Sequence, residues 1–502
     1  MSILSSLGDG FSVATTPINL LFCLIGTFFG TIIGVLPGLG PTAAITMLLP
    51  LTFGMDPIAA FIMLAGIYYG SQYGGSTTAI LIRTPGESSS IVTTFDGYQM
   101  AKQGRAGAAL AICAIGSFIA GTLGIVGLML VGTALAEFAL RFGPPEYFAL
   151  AFFGLATLVF VEGGSKLKAL ASTAGGFLVS MIGIDPVGGQ NRFLFGQIEL
   201  LDGIDFVVVA MGLFAVAEVL TNLEDAATDK PMAVRLSTLW ITWADWLASW
   251  VPILRGTLTG FLIGVLPGAG ATISTFASYA LERRLAKAPE TFGKGAIAGV
   301  AGPESANNAN TIGAFVPLLS LGIPGSTVTA VLLAAMTLHG LTPGPLLFAE
   351  EPQFVWGLIA SMYIGNLMLL VLNLPLVPLF ASLTRVPYAV LYPAVLVVTV
   401  IGVYSIENNL YQVWILLLFG VLGYFMRRFG YPASPLVLAL VLGPLVERSR
   451  YQTMTLNHGD FTVIFTRPIS GSLMAVVVLI LLGPPLIGFF RTLVRRLGPQ
   501  AR

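Results

Sequence analysis

The sequence predicts an all-α, polytopic integral membrane protein with two inverted-topology repeats, broken helices or re-entrant hairpins, and roughly 10–14 membrane segments. Of its 502 residues, 56% are hydrophobic and only 10% are charged. A soluble domain carries about 25% charged residues, so this chain lacks the polar surface that water requires. Membrane β-barrels alternate apolar and polar residues, and the sequence lacks that pattern. The formal net charge of zero argues against a nucleic acid partner.

One glycine-rich motif occurs twice and predicts the two repeats. Residues 34–40 read Gly-Val-Leu-Pro-Gly-Leu-Gly, and residues 264–270 read Gly-Val-Leu-Pro-Gly-Ala-Gly. A second echo follows each copy, because Pro85-Gly86 in the first half is answered by Pro324-Gly325 in the second. Each half therefore contains an apolar, glycine-spaced helix that is broken at Pro-Gly and followed by a polar segment.

The apolar segments have two lengths. Runs of about 20 residues, enough to cross a bilayer, are expected near 17–36, 106–135, 146–161, 169–184, 204–221, 354–381, 386–404, 410–426 and 469–490. Shorter pieces cluster around the motifs, near 41–53, 58–70, 73–83, 251–266, 270–281, 307–322 and 326–340. Short segments interrupted by Gly and Pro in corresponding places of two halves indicate a transporter binding site.

The chain is predicted to divide into a first transmembrane repeat at 1–225, a linker at 226–250 and a second repeat at 251–502. The linker contains Trp243, Trp246 and Trp250. Tryptophan is favoured where the bilayer meets water, so we expect an amphipathic helix that lies in the interface.

The charges predict that the halves have opposite orientations. A basic cluster, Arg283, Arg284, Lys287 and Lys294, follows the second motif, whereas the matching place after the first motif carries only Asp56. Further along the bias reverses, since Lys102 and Arg105 close the first polar segment and acids close the second. Basic loops face the cytoplasm, so the N-terminus is expected outside and the C-terminus inside. Arg192 and the arginine-rich loop at 447–467 do not fit this orientation.

The Pro-Gly breaks are candidate substrate sites. Proline lacks a backbone donor and glycine tolerates unusual φ angles, and a broken helix in lipid is tolerated only beside protein or a water-filled cavity. The half-helices that follow offer free N–H groups with partial positive charge, which suit a carboxylate. The candidates at the breaks are Gly38, Gly40, Thr42, Gly268, Gly270 and Thr272. The upstream glycines Gly26, Gly30, Gly256 and Gly260 are interpreted as positions of close helix packing.

Polar residues in the two following segments extend the candidate site. Amide and hydroxyl groups bind oxyanions or, through their oxygens, Na⁺. A lone Ser or Thr in a membrane helix more often bonds its own backbone, but three Asn residues within four positions are harder to explain in that way, since unpaired buried amides are costly. The candidates are Ser76, Thr77, Thr78, Asn307, Asn308, Asn310, Thr311 and Ser326.

Charged residues inside apolar stretches are candidates for ion coupling. Glu304, Glu87 and Asp96, together with Asn308, are predicted to hold H⁺ or Na⁺, although each acid is also explained by a structural ion pair. Arg83 stands in an apolar run and is a candidate counter-charge for an anion, a partner for Glu87, or a side chain that snorkels to the interface. The two cysteines are expected to be buried hydrophobes. No metal-binding constellation and no hydrolase motif is visible, so we predict neither an enzyme nor a cofactor.

The chain resembles the large membrane subunit of the tripartite tricarboxylate transporter family over essentially its whole length. In the first half the resemblance is carried by Ile33-Gly-Val-Leu-Pro-Gly-Leu-Gly-Pro-Thr42, Tyr68-Tyr-Gly-Ser-Gln-Tyr-Gly-Gly-Ser-Thr-Thr78, Pro85-Gly-Glu87, Asp96-Gly-Tyr98 and Lys102-Gln-Gly-Arg-Ala-Gly107. In the second half it is carried by Pro303-Glu-Ser-Ala-Asn-Asn308, Leu321-Gly-Ile-Pro-Gly325 and His339-Gly-Leu-Thr-Pro-Gly344. Arg83 departs from the family, in which a polar uncharged residue is expected.

The resemblance implies a multi-pass subunit of the bacterial inner (cytoplasmic) membrane. It implies partnership with a small membrane subunit of about four helices and with a periplasmic solute-binding protein that delivers a small carboxylate such as citrate. It further implies that an ion gradient drives uptake. We expect a Na⁺- or H⁺-coupled importer in which one bundle carrying both motifs moves against a scaffold. The alternatives are a stand-alone ion-coupled carrier for another solute, a passive channel and an intramembrane enzyme.

Overall fold

The computed structural model describes residues 3–36, 40–161, 165–185, 188–222, 239–268, 270–383 and 388–497. These residues are helical except for loops and one antiparallel hairpin of two-residue strands, β1 (Gly183–Ile184) and β2 (Asn191–Arg192). The predicted all-α class is confirmed, and the chain is a multi-pass membrane protein.

Ten α-helices of the described residues lie between residues 3 and 222. They are α1 (Ile3–Ala14), α2 (Pro17–Val35), α3 (Pro41–Leu48), α4 (Pro57–Ile82), α5 (Thr93–Lys102), α6 (Ala106–Ala139), α7 (Pro144–Val161), α8 (Lys166–Ser180), α9 (Phe206–Ala210) and α10 (Ala217–Asn222). Short 3₁₀ turns lie at Leu49–Thr52, Ser88–Ile91 and Ile198–Leu200, and a π-helical stretch, Met211–Val216, joins α9 to α10.

The second motif lies between the first two of the remaining helices. These are α11 (Trp243–Val265), α12 (Ala271–Leu285), α13 (Ala298–Gly313), α14 (Phe315–Leu321), α15 (Thr327–Leu338), α16 (Leu347–Glu350), α17 (Pro352–Asn373), α18 (Val377–Leu383), α19 (Tyr388–Glu407), α20 (Leu410–Arg428), α21 (Ala433–Leu456), α22 (Val463–Thr466) and α23 (Pro468–Leu497). A 3₁₀ turn at Pro289–Thr291 follows α12.

The chain forms two compact units. One comprises residues 1–140 and 205–429, and the other comprises residues 141–204 and 430–502. Both copies of the motif belong to the first unit. The division into repeats at 1–225 and 251–502 stays a prediction, and most of the predicted linker, residues 226–238, lies outside the described residues. Trp243, Trp246 and Trp250 open α11, which continues into the second motif.

Among the described residues, five helices are long and apolar enough to span a bilayer. They are α2, α6, α11, α17 and α20. Three of the predicted short pieces are wrong. The pieces at 58–70 and 73–83 form the single 26-residue helix α4, and 251–266 belongs to the 23-residue helix α11. Helix α4 continues through its polar middle because Ser71 Oγ donates to the Tyr68 carbonyl within the same helix, 2.7 Å away.

Three further helices correct the sequence analysis. Helices α1 and α5 are not predicted, because both are too short and polar to resemble a membrane segment. The expected loop at 447–467 is also wrong over its first part, because α21 runs without interruption to Leu456. Thr453 Oγ1 donates to the Ser449 carbonyl at 2.7 Å, so these polar residues are accommodated inside the helix.

The repeated glycines pack one helix closely against another in both halves. Helix α2 lies on α4 and α11 lies on α13, in each case through three glycines spaced one helical turn apart. A Cβ on Gly30 would lie 2.7 Å from the Ile67 carbonyl oxygen, and one on Gly264 would lie 2.5 Å from that of Asn310. The backbones therefore touch, as small residues permit in membrane helices. This confirms the packing interpretation of Gly26, Gly30, Gly256 and Gly260.

We expect Gly30→Ala to lower the stability of the folded protein by about 1–3 kcal/mol, because the added methyl group overpacks a backbone contact. The measurement is thermal unfolding in detergent, followed by the loss of the monodisperse species. Gly8→Ala is the matched control, since Gly8 lies in α1 with no atom within 4 Å of its Cβ position. Equal stability of the two variants would contradict close packing between α2 and α4.

Candidate functional site

Both helix breaks leave a half-helix that starts at a glycine. Helix α2 ends at Val35 and α3 begins after Gly40, while α11 ends at Val265 and α12 begins after Gly270. Gly38, in the first break, lies outside the described residues. In the second break Gly268 adopts the left-handed conformation, with φ of 84°, and its N–H donates to the Gly325 carbonyl at 3.0 Å.

The two Pro-Gly turns of the second half lie side by side, and in the first half the turn at Pro85-Gly86 lies beside the end of α2. Gly268 bonds Gly325 in the second half, and Gly86 lies against the Gly34 carbonyl in the first half. Glycine is required at Gly86, because a Cβ there would clash with the Gly34 carbonyl oxygen. In each half, the end of the helix that carries the repeated motif therefore lies next to the second Pro-Gly turn.

Open space adjoins the two glycine N-caps. Apart from chain neighbours, no atom of the described residues lies within 4 Å of the Cβ position at Gly40 or Gly270, whereas the packing glycines of α2 and α11 meet backbone there. Both residues have extended backbone and negative φ, so neither needs glycine for its conformation. The first turn of a helix carries N–H groups without intrahelical partners. The amino ends of α3 and α12 thus border space that a ligand could enter.

The two halves contact each other crosswise. Helix α3 packs on α15, and α12 packs on the 3₁₀ turn Ser88–Ile91. Thr272 Oγ1, in α12, donates to Ser88 Oγ at 3.0 Å. These contacts connect the broken segment of each half with the polar segment of the other.

Two side-chain contacts repeat this crosswise pattern. Glu87 and Ser326 each directly follow a Pro-Gly pair and cap the next helical segment. Asn307 Nδ2 of the second half donates to Glu87 Oε1 at 3.1 Å, and the Tyr68 hydroxyl of the first half lies 3.5 Å from Ser326 Oγ. Asn307 and Tyr68 occupy equivalent places, one turn before the last glycine-packed position of their helices.

Asn307 has a buried polar atom without a hydrogen-bond partner among the described residues. Its side chain is fully buried, and its Oδ1 has no hydrogen-bond partner among the described residues. Its Nδ2 and the Ser89 hydroxyl both donate to Glu87 Oε1. The Ser89 hydroxyl also lies 3.1 Å from Gln72 Oε1. An unpaired buried amide oxygen is costly, so this position is suited to a ligand that donates a hydrogen bond.

Glu304 lies in a second polar cluster, which is buried in the protein interior. Its carboxylate is 1% exposed and accepts from Ser76 Oγ at 2.5 Å and from Thr93 Oγ1. Next to it is a cavity of about 10 Å³, which is close to the room that one water molecule needs. The polar lining consists of Tyr73, Ser76, Thr77, Cys113, Ser117, Glu304 and Asn373. Asn308 borders the cluster, because its Nδ2 donates to Ser117 Oγ at 2.7 Å.

Three other candidates form hydrogen bonds with protein groups, one between helices and two within a helix. Asn310 Nδ2 donates to Ser274 Oγ at 2.7 Å, which joins α13 to α12. The Thr78 and Thr311 hydroxyls donate to carbonyls of their own helices, those of Gly75 and Asn307, each at 3.0 Å. Thr42 is half-buried in the first turn of α3.

Asp96 and Arg83 lie outside these clusters. Asp96 is fully buried, and its Oδ1 accepts from the backbone N–H groups of Gly293, Gly295 and Ala296 at 2.8–2.9 Å, while Tyr279 donates to Oδ2. These four donors favour a structural role in which Asp96 holds the loop after α12. Arg83 is exposed rather than buried, ends α4 in the left-handed conformation and lies over the Tyr98 ring.

Several site residues are not predicted from the sequence. Ser117 in α6 and Asn373 in α17 are isolated polar residues within long apolar helices, and Tyr73 and Thr93 are ordinary residues for their segments. The sequence marks Ser117 and Asn373 only as polar residues inside apolar helices, which is a general sign of a functional position. It does not reveal the partner, because Ser117 and Asn308 are far apart in the sequence.

Comparison with known proteins agrees with this architecture. A family model described as "Tripartite tricarboxylate transporter TctA family" matches residues 20–438. An Agrobacterium vitis protein named for the TAR-I ttuC' 3'region is 50% identical over 476 residues, which cover 95% of each chain. A second A. vitis protein, named for the TAR-II ttuC' 3'region, is 48% identical over 217 residues, 43% of this chain and 90% of that protein. No solved structure matches the chain.

We expect Asp96→Ala to release the loop after α12, because it removes the carboxylate that accepts from three part-buried N–H groups of that loop. The measurement is amide hydrogen exchange over residues 289–297, which should become faster. The control is Glu290→Ala, in the same loop, because Glu290 is exposed. Unchanged exchange in Asp96→Ala would contradict the bracing role.

Proposed function

We propose that this chain, which belongs to the tripartite tricarboxylate transporter TctA family, imports a small carboxylate as the large membrane subunit of a secondary active transporter. The family is a transporter family whose members work with other subunits, as its name states. The observation that carries the proposal is the crosswise contact between the broken segments of the two halves, with open space at the N-caps Gly40 and Gly270.

The carboxylate is proposed to bind between the amino ends of α3 and α12. The N–H groups of a helix amino end favour a negative charge, and two such ends match the two carboxylates of a dicarboxylic or tricarboxylic acid. Thr42, Thr272 and Ser326 stand at the first turns or caps around this place. Asn307 Oδ1 suits a hydroxyl of the substrate, because that oxygen lacks a donor. Hydroxylated acids are therefore the favoured substrates.

Import of a multiply charged anion needs a coupling cation. Moving a charge against the membrane potential costs about 2.3 kcal/mol for each 100 mV, and the interior-negative potential opposes entry of anions. A Na⁺ or H⁺ gradient is proposed as the driving force, with Glu304 and Glu87 as the acids that respond to it. Asp96 is a weaker candidate, because donors already occupy both of its oxygens.

The partners are proposed to be a small membrane subunit and a periplasmic binding protein, in the bacterial inner membrane. Alternating access is proposed to move one bundle, which carries both motifs, against the rest of the protein. Both motifs lie in one compact unit, which supports their movement as one body.

In proteoliposomes that contain this chain, its small partner and the binding protein, we expect uptake of radiolabelled carboxylates against a concentration gradient. The panel is succinate, malate, tartrate and citrate, measured with an inward Na⁺ gradient, with an inward H⁺ gradient and with neither. Hydroxy acids should be taken up better than succinate, because they donate a hydrogen bond to Asn307.

Liposomes that lack the binding protein are the control for a tripartite system, and uptake there should fall to background. Equilibration without accumulation would indicate a passive channel. No uptake of any carboxylate by folded, assembled protein would refute the proposal.

We expect Gly270→Leu to fold normally and to reduce uptake at least about tenfold, or roughly 1.4 kcal/mol. The Cβ of a Leu has room and an allowed backbone conformation there, and the rest of the side chain would extend into the space in front of the amino end of α12. Thermal stability and uptake are measured on the same preparation. Gly8→Leu serves as the control, and wild-type uptake in Gly270→Leu would place the substrate elsewhere.

A further inference from the structure

We propose that the cavity beside Glu304 is a binding site for one Na⁺ ion, distinct from the carboxylate site, and that this ion is the coupling cation of the proposed transport function. The cavity lies among α4, α6, α13 and α17 in the interior of one compact unit. Its residues come from both halves of the chain, so an ion bound there would connect them.

The charge of the cavity selects a monovalent cation. The Glu304 side chain is 1% exposed and forms no ion pair with any Lys, Arg or His that the structure describes. Its partners, Ser76 and Thr93, are neutral. A buried carboxylate without a counter-charge is strongly unfavourable. One monovalent cation neutralises it, whereas a divalent ion would leave an excess positive charge.

The hydrogen-bond directions turn oxygen lone pairs towards the cavity. Ser76 donates its proton to Glu304, and Tyr73 donates its proton to Asn366 Oδ1 at 3.1 Å. Ser117 accepts from Asn308. The protons of Ser76 and Tyr73 are thus committed to other groups, and their oxygens are available as ligands. Hard cations prefer such oxygen ligands.

The size of the cavity also favours a bare ion. A volume of about 10 Å³ accommodates one water molecule or one small ion. Mg²⁺ binds with several of its waters retained, so it does not fit. Carboxylate, hydroxyl and amide oxygens around one small space are a suitable set for dehydrated Na⁺.

The site is placed to couple ion binding to substrate binding. Glu304 lines the cavity, and Asn308 donates to the lining residue Ser117. Asn307, which precedes Asn308 in α13, contacts Glu87 beside the proposed carboxylate site. Ser76 lies on α4 and Thr93 on α5, so the ion would draw the first half onto α13. Na⁺ binding would therefore order both sides of the place where the carboxylate enters.

Equilibrium binding of radioactive Na⁺ to the purified full-length chain in lipid nanodiscs tests the site without transport. We expect saturable binding that Glu304→Gln abolishes and Ser76→Ala weakens. Glu290→Gln, an exposed acid, is the matched control and should bind as the wild type does. Monodispersity and thermal unfolding of each variant separate loss of the site from loss of the fold, and Ser76→Ala keeps the test decisive if Glu304→Gln does not fold.

Cys113 provides a reporter inside the same cavity. In a Cys23→Ala background the Cys113 thiol is the remaining cysteine, and we expect Na⁺ to slow its reaction with methyl methanethiosulfonate. The rate should fall about tenfold at roughly ten times the Kd, with choline as the replacement ion at constant pH. Glu304→Gln should remove this protection.

Three outcomes would overturn the proposal. Protection by K⁺ equal to that by Na⁺ would refute a Na⁺ site, and dependence on pH alone would show that Glu304 carries a proton instead. Absence of Na⁺ binding to folded protein would remove the site altogether. Carboxylate uptake in parallel proteoliposomes would show whether the proposed function survives that result.

Discussion

The close contact between glycine and the facing backbone is the constraint on which the rest of this architecture depends. Gly34 lies on Ser71, and Gly264 lies on Asn310, immediately before each helix breaks. In lipid, a broken helix is tolerated only where protein or water satisfies the exposed backbone. By drawing α2 onto α4 and α11 onto α13, these glycines place each break beside a helix that is rich in Ser, Thr or Asn. The same packing thus permits the break and supplies its polar surroundings.

The duplicated frame holds different chemistry in its two halves. The contacts of Glu87 with Asn307 and of Ser326 with Tyr68 are equivalent in position, but only the first includes an acid. Helix α4 runs unbroken for 26 residues, whereas its counterpart is divided into α13 and α14. Duplication explains the shared backbone geometry. Divergence of the side chains explains why one of the two equivalent contacts contains a carboxylate and the other contains two hydroxyl groups. A symmetric frame therefore has an asymmetric interior.

The sequence predicts the parts of this structure that depend on local chemistry. The breaks follow from Pro and Gly, the helix contacts from glycine spacing, and the class from composition. It does not predict partners that are distant in the chain. The sequence makes Glu304 a candidate for ion coupling only because a charged residue is costly to bury in an apolar stretch. Its bonds to Ser76 and Thr93 depend on how three helices pack. Arg83 shows the converse, because an arginine in an apolar run is exposed when the helix ends at that residue.

Helix α13 is the element that both proposed sites share. Successive residues of an α-helix point about 100° apart, since one turn takes 3.6 residues, so Asn307 and Asn308 face different neighbours from one backbone. Asn307 reaches Glu87, and Asn308 reaches Ser117. A ligand shifts a conformational equilibrium only through its different affinities for the two states. A movement of α13 changes the surroundings of the proposed Na⁺ site and of the proposed carboxylate site at once. If both ligands bind more tightly to the same position of α13, binding of one ligand favours binding of the other. Coupling then needs no relay of intermediate residues, because one helix borders both proposed sites.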